Sequence, residues 1–318
     1  MKNKIIALSA LVLFLGLGVF AILMFNKYKS FKIISIKQEY SIVTTSSTSE
    51  LSIPLYFEKK NSFLTKFKNV KNSYIENDDY TFLTNLKSIT EGETIVYDGT
   101  KYTEYIFKIS FSSYDDFSDV IYVENGKFRV TYQNNEEMSY SIGNLELYFN
   151  SSLAESNIQV MQLSAITNVI GGVETIVGIN LSLKNDYNSN ITINSIKTLN
   201  KFYELDYRDY EFGSLDRKAD LSQRVSNYSY TAESLDYSPI DLAISSGKYT
   251  SIFIPLKYLN GIRYVSSLPL FIEYTLNGET MLKVVDSFSF MKKNVFYTKN
   301  GIKVYEYSYK WSKEKVWF

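Results

Sequence analysis

Apolar residues follow two contrasting patterns along the chain. Near the start a single block, IIALSALVLFLGLGVFAILMF at residues 5–25, contains no charged residue. At about 1.5 Å per residue, a helix of that length covers about 30 Å, the thickness of a bilayer's hydrocarbon core. From residue 32 onward the pattern changes to period two, the spacing of a strand with one buried face. Leu51, Ile53, Leu55 and Phe57 alternate with smaller or polar residues in LSIPLYFEK. FKIISIKQEYSIV before it, and YTEYIFKISF and NLELYF after it, also read as strands. FRVTYQNNEEMSYSI (residues 128–142) alternates, breaks at Asn134-Asn135 and alternates again, which predicts a hairpin.

The second half repeats these features in the same order. FRVTYQNNEEMSYSI lines up with LFIEYTLNGETMLKV, so Val130 meets Ile272, Tyr132 meets Tyr274 and Asn135 meets Asn277. YTEYIFKISF lines up with YTSIFIPLKY, placing Tyr105, Phe107 and Ile109 on Ile252, Ile254 and Leu256. ELSIPLYFEKKN lines up with ETIVGINLSLKN, with Ile53, Leu55 and Phe57 on Ile179, Leu181 and Leu183. Three collinear matches predict a tandem duplication.

The fold class expected is therefore all-β: an N-terminal transmembrane helix, then two tandem immunoglobulin-like or fibronectin-like sandwiches, then a C-terminal hairpin or tail. The paired cysteines around a tryptophan that mark antibody domains are absent, so the likeness is to an architecture. The boundaries read as a short cytoplasmic N-terminus at 1–4, a signal-anchor at 5–25 and a linker at 26–31. Sandwiches follow at 32–150 and 151–292, divided near the polar stretch 150–156, with a tail at 293–318. Asn300-Gly301 marks a turn in that tail, which predicts a final hairpin packed on the second sandwich. The basic run at residues 58–72 reads as a solvated strand and loop face.

Composition narrows the chemistry. The chain has 28 Tyr and 21 Phe, residue types that suit a pleated, half-buried surface. Cys and His are both absent, which excludes disulfides, thiolate metal sites, Cys nucleophiles and His relays. Lys plus Arg balance Asp plus Glu at 34 each, so no global field draws nucleic acid. No cofactor is implied.

Two segments stand out as candidate binding surfaces. Residues 202–238 form an insert rich in Tyr, Ser, Asp and Asn, the mixture of rigid aromatic and adaptable polar contacts used by binding loops. Tyr203, Tyr207, Tyr210, Tyr228, Tyr230 and Tyr237 are its candidate contacts. Its plainer reading is a cap whose tyrosines cover the sandwich. The acidic residues Asp206, Asp209, Glu211, Asp216 and Asp220, and the second group Asp115, Asp116 and Asp119, match no calcium loop and read as turn carboxylates. The C-terminal segment from Lys292 to Phe318 holds both tryptophans of the chain, Trp311 and Trp317, and seven Lys against Glu306 and Glu314. That mixture suits a membrane interface or an acidic partner, of which the insert is one.

Together these features predict a non-catalytic binding or assembly module anchored in the cell membrane, single-pass, with its body outside the cell. The partners expected are membrane lipid through the N-terminal helix and a protein or glycan outside. Cleavage near Ala21 would instead release the body. A spacer or subunit of an envelope complex is the alternative role, and a carboxylate-dependent hydrolase a third.

Overall fold

The computed structural model describes residues 31–44, 50–111, 120–149, 156–170, 173–198, 200, 202–206, 211–212, 240–259, 261, 265, 267–289 and 304–309. Apart from 3-10 turns at Phe63–Thr65 and Phe67–Asn69, the regular elements among them are all strands. No helix among the described residues is long and apolar enough to cross a membrane, and residues 5–25 lie outside them.

FKIISIKQEYSIV, predicted as one strand, divides at Lys37 into β1 (Phe31–Ile36) and β2 (Gln38–Thr44). There follow β3 (Glu50–Phe57), β4 (Val70–Glu76), β5 (Thr81–Tyr97), β6 (Thr100–Phe111), β7 (Val120–Tyr132) and β8 (Glu137–Phe149). Their order in the sheet is β1-β3-β6-β5-β4-β7-β8-β2. The two ends of this path are consecutive in the chain, so the path folds over and closes through Lys37. β1 pairs antiparallel with β3, and β2 pairs parallel with β8. At the opposite side, β5 pairs with β4 over residues 81–84 and with β6 from Thr84 onward. Both corners are thus strands that change layer, a device of closed β-sandwiches. Between the layers lies a core that includes Ile33, Tyr40, Ile53, Phe107, Phe128 and Leu147.

The second unit comprises β9 (Ile158–Ile170), β10 (Val173–Asn185), β11 (Ile191–Lys197), β12 (Tyr203–Leu205), β13 (Glu211–Phe212) and β14 (Leu242–Ile244). It continues through β15 (Tyr249–Tyr258), β16 (Ser267–Leu276) and β17 (Glu279–Ser289). One layer runs β12-β15-β10-β9, with β13 also on β15, and the other β14-β11-β16-β17. Ile179, Leu181, Ile193, Ile254, Leu270 and Ile272 fill the space between them.

The three sequence matches occupy equivalent places in these two strand orders. Ile53 pairs with Phe107 and Leu55 with Tyr105. The aligned residues pair identically, Ile179 with Ile254 and Leu181 with Ile252. In the hairpins, aligned Asn135 and Asn277 both take left-handed backbone, at φ 61° and 53°. The turns themselves differ. The bond from Tyr132 N to Glu136 O closes a longer loop, whereas Leu276 faces Glu279 across Asn277-Gly278 alone.

Two expectations are corrected. The described part of the tail is not on the second sandwich: β18 (Val304–Tyr309) returns to the first sheet, antiparallel on β1, while residues 290–303, with the expected turn, and 310–318 lie outside the described residues. Its alternating VYEYSY serves as an edge strand there. Nor is the basic run 58–72 wholly solvated. Ser62 accepts a bond from Leu64 N and starts a turn that drives Leu64 into the first core at 0% exposure.

Gly143 marks where β8 meets the start of β2. Its φ is +111°, and a Cβ there would collide with the backbone O and N of Gln38. Gly278, at φ +87°, has open space around it. Gly143→Ala should therefore cost about 3 kcal/mol in chemical denaturation and Gly278→Ala about 1 kcal/mol. Equal costs would contradict the close approach.

Candidate functional site

All six residues of β2 from Gln38 to Val43 are buried, so both faces of this strand are covered. Tyr40 and Ile42 point into the first core. Glu39, Ser41 and Val43 point the other way, opposite Asn144, Glu146 and Tyr148 of β8 in the parallel register. Alternation brings these six side chains into one outward ladder of three rungs, and the second unit covers it.

The middle rung is a buried polar knot. Ser41 Oγ donates to Glu146 Oε2 at 3.2 Å, and Tyr148 Oη donates to the same oxygen at 2.8 Å. Asn200 reaches in from the second unit, its Nδ2 donating to Ser41 Oγ at 3.0 Å and to Glu146 Oε2 at 2.9 Å. Its Oδ1 accepts from Phe202 N at 2.8 Å, which fixes the turn that presents it. Tyr203 Oη lies 3.3 Å from Ser41 Oγ. In the first rung Asn144 Nδ2 spans both oxygens of Glu39, at 2.9 and 3.1 Å, and Glu39 also bridges to Val265. The third rung is apolar, with Val43 and Tyr148 packing against Phe271 and Val284. Tyr148 meets the Phe271 ring edge-on at 5.4 Å between centroids.

Burial pushes the Tyr148 and Tyr203 hydroxyls well above the usual phenol range, and the Glu146 charge adds to both. Both hydroxyls therefore stay protonated and available to Glu146 and Ser41. A carboxylate with three donors at 2.8 to 3.2 Å is satisfied, which gives it a holding role between the units.

The second feature is an edge. β9 ends its sheet, with β10 on one side and no other strand paired to it among the described residues. IQVMQLSAITNVI has thirteen residues without a charge or a proline. Edges are usually blunted by charge, proline, bulges or cover. β9 carries one such device, a bulge where Val160 and Gln162 pair with adjacent residues of β10, leaving Met161 between them and 56% exposed.

Of the predicted contact residues, Tyr203 is fully buried, with its ring 6.0 Å from that of Tyr258. It belongs to the second core and the knot, which removes it from any outer binding surface. Its place in YEL, paired with Leu256–Tyr258 of β15, explains this: alternation turns it inward. Asp206 is likewise buried, held by Lys257 at 2.6 Å. Tyr207, Tyr210, Tyr228, Tyr230, Tyr237, Trp311 and Trp317 lie outside the described residues, as do Asp115, Asp116 and Asp119. No group of three or more acidic residues suited to a metal occurs among the described residues. The knot escaped sequence reasoning because Ser41, Glu146 and Asn200 are far apart in the chain and each reads alone as a surface residue. β9 was visible only as an uncharged run.

No family model and no curated protein matches the chain. Among solved structures it is similar to one named BspA_C_WT at 8% identity and a TM-score of 0.19, covering 81% of this chain and 99% of that one. The Streptococcus agalactiae AgI/II polypeptide BspA C terminal domain gives 9%, 0.19, 81% and 99% in the same order. A mutant of Salmonella alpha-2-macroglobulin gives 10%, 0.23, 80% and 16%. Superpositions this poor carry no argument about arrangement or role.

Removing Asn200 would strip Glu146 and Ser41 of their link to the second unit. Asn200→Ala should lower stability by about 2 kcal/mol and separate a single calorimetric transition into two. An unchanged single transition would show that the knot does not couple the units.

Proposed function

We propose that this chain is a non-catalytic binding module, held at the cell membrane by residues 5–25, with its paired sandwiches outside the cell. Its partner is a protein that adds an extended segment to the open edge of β9. The observation that carries this reading is the edge itself: thirteen uncharged residues at the margin of a well-packed sheet. Strand addition draws affinity from backbone bonds along such an edge and specificity from the side chains that alternate beside it. The stretch from Gln162 to Ile166 pairs regularly with β10, from Ser182 back to Gly178, and gives an incoming strand a straight rail. The knot supports the same role, because it ties the unit that carries β9 to the first sandwich through Asn200.

A non-catalytic role remains the expectation: without His or Cys, acid–base and nucleophilic work would fall to carboxylates, Lys, Ser or Tyr. The buried carboxylates of the seam are committed to holding it.

Lysines beside the edge should block pairing while leaving the core intact. Gln162→Lys combined with Asn168→Lys should reduce the partner recovered with detergent-extracted full-length chain by about tenfold or more, with Tm shifted by no more than about 2 °C. The same partner at the same yield would sink the reading.

A further inference from the structure

β9 has a counterpart in the first unit, and the edge of that counterpart is occupied. β10 and β3 are matched strands, with Leu181 on Leu55 and Leu183 on Phe57. β3 carries β1 antiparallel, Leu55 facing Ser35, Tyr56 facing Ile34 and Phe57 facing Ile33. β10 carries β9 antiparallel in the same manner, Leu181 facing Leu163, Ser182 facing Gln162 and Leu183 facing Val160. β9 therefore stands where β1 stands. Leu163 takes the place of Ser35, Gln162 that of Ile34 and Val160 that of Ile33, with Met161 as the extra residue of the bulge.

The far side of β1 holds β18, antiparallel, with Tyr305 opposite Ser35, Glu306 opposite Ile34 and Tyr307 opposite Ile33. With a strand on each side, Ser35 and Ile33 are both 0% exposed. The far side of β9 holds no strand among the described residues. Val160, Leu163 and Ala165 pack on the second core yet remain only half-buried. Covering apolar surface of this kind contributes about 25 cal/mol per Å², and aromatic residues opposite aliphatic ones strengthen a strand pair beyond its backbone bonds. A segment polar throughout would leave Val160 and Leu163 in water. One apolar throughout would set an apolar residue beside the exposed Gln162.

We infer that the segment β9 accepts from its partner protein is an antiparallel strand of the β18 kind, with a large aromatic or aliphatic residue facing Val160 and Leu163 and a polar residue facing Gln162. This rests on the strand addition proposed above and states which chemistry the added strand carries. The first unit closes its edge with the chain's own VYEYSY, and the second takes the equivalent strand from outside.

The chain has no cysteine, so introduced thiols report the register. The probe is a synthetic peptide of residues 303–310, KVYEYSYK, added in excess under mild oxidation to detergent-extracted full-length chain carrying Gln162→Cys or Ser164→Cys. Residues directly opposite in an antiparallel pair lie within disulfide reach, and those displaced by two places lie at its limit or beyond. Peptide with Glu306→Cys should couple to Gln162→Cys, and peptide with Val304→Cys to Ser164→Cys. The expected yields are about fivefold or more above those of the two exchanged pairings. Equal yields, or a majority for the exchanged pairings, overturn the antiparallel polarity and leave strand addition standing. Equal coupling by a peptide of the same composition in scrambled order overturns the alternation. Disulfide-linked pairs of the chain formed without peptide identify the occupant as a second copy and overturn a separate partner. No coupling by any peptide overturns this inference, while recovery of the partner with the two lysine substitutions described above decides strand addition separately.

Discussion

One stretch of chain decides most of this structure: residues 31–43, in which every residue except Lys32 and Lys37 is buried. A strand buried on both faces has to be satisfied on both, and this one meets two different partners. Its inward residues, among them Ile33, Tyr40 and Ile42, belong to the first core. Its outward residues from Glu39 to Val43 form the ladder on which the second unit sits. The break at Lys37 lets β1 join β3 while β2 crosses to β8, so the same stretch also closes the sandwich. β1 finally offers its free side to β18. Closure, coupling and the return of the chain's last described strand all depend on fourteen residues of β1, Lys37 and β2.

Much of the scaffold was legible because it follows from periodicity. Alternation in ELSIPLYF and YTEYIFKISF fixes which residues face inward, and the same alternation in ETIVGINLSLKN and YTSIFIPLKY gives the same cross-strand pairs. Asn277-Gly278 announced its turn because both positions need positive φ, and both have it. Periodicity says less about what covers a polar face. Glu39 and Ser41 alternate with Tyr40 and Ile42 as solvent-facing residues would, yet they are buried. Nothing local distinguishes a polar residue facing water from one facing Asn200, which is 159 residues from Ser41. The tail eluded sequence reasoning in the same way. VYEYSY reads as a strand, but the choice between the nearby second sandwich and the distant β1 is made by which edge is open.

The knot also shows why an interface can be polar and still hold. A buried carboxylate without partners is costly, whereas Glu146 with Ser41, Tyr148 and Asn200 is satisfied, and removing any donor exposes that cost. The apolar rung of Val43, Tyr148, Phe271 and Val284 supplies the contact area, and the polar rung supplies the register. Two sandwiches joined by this seam, with one long uncharged edge, suit the strand-adding partner proposed above. Of the described residues of the insert, 202–206 serve the seam and the second core, and 211–212 pair with β15.

The account stands on the body lying outside the cell, and the absence of cysteine makes that directly measurable. Tyr249 is 74% exposed at the start of β15, so a single Tyr249→Cys substitution places one reactive thiol on an otherwise unreactive chain. Intact cells are treated with a membrane-impermeant maleimide and compared with lysed cells. The account predicts full labelling before lysis; labelling that appears only after lysis would contradict it.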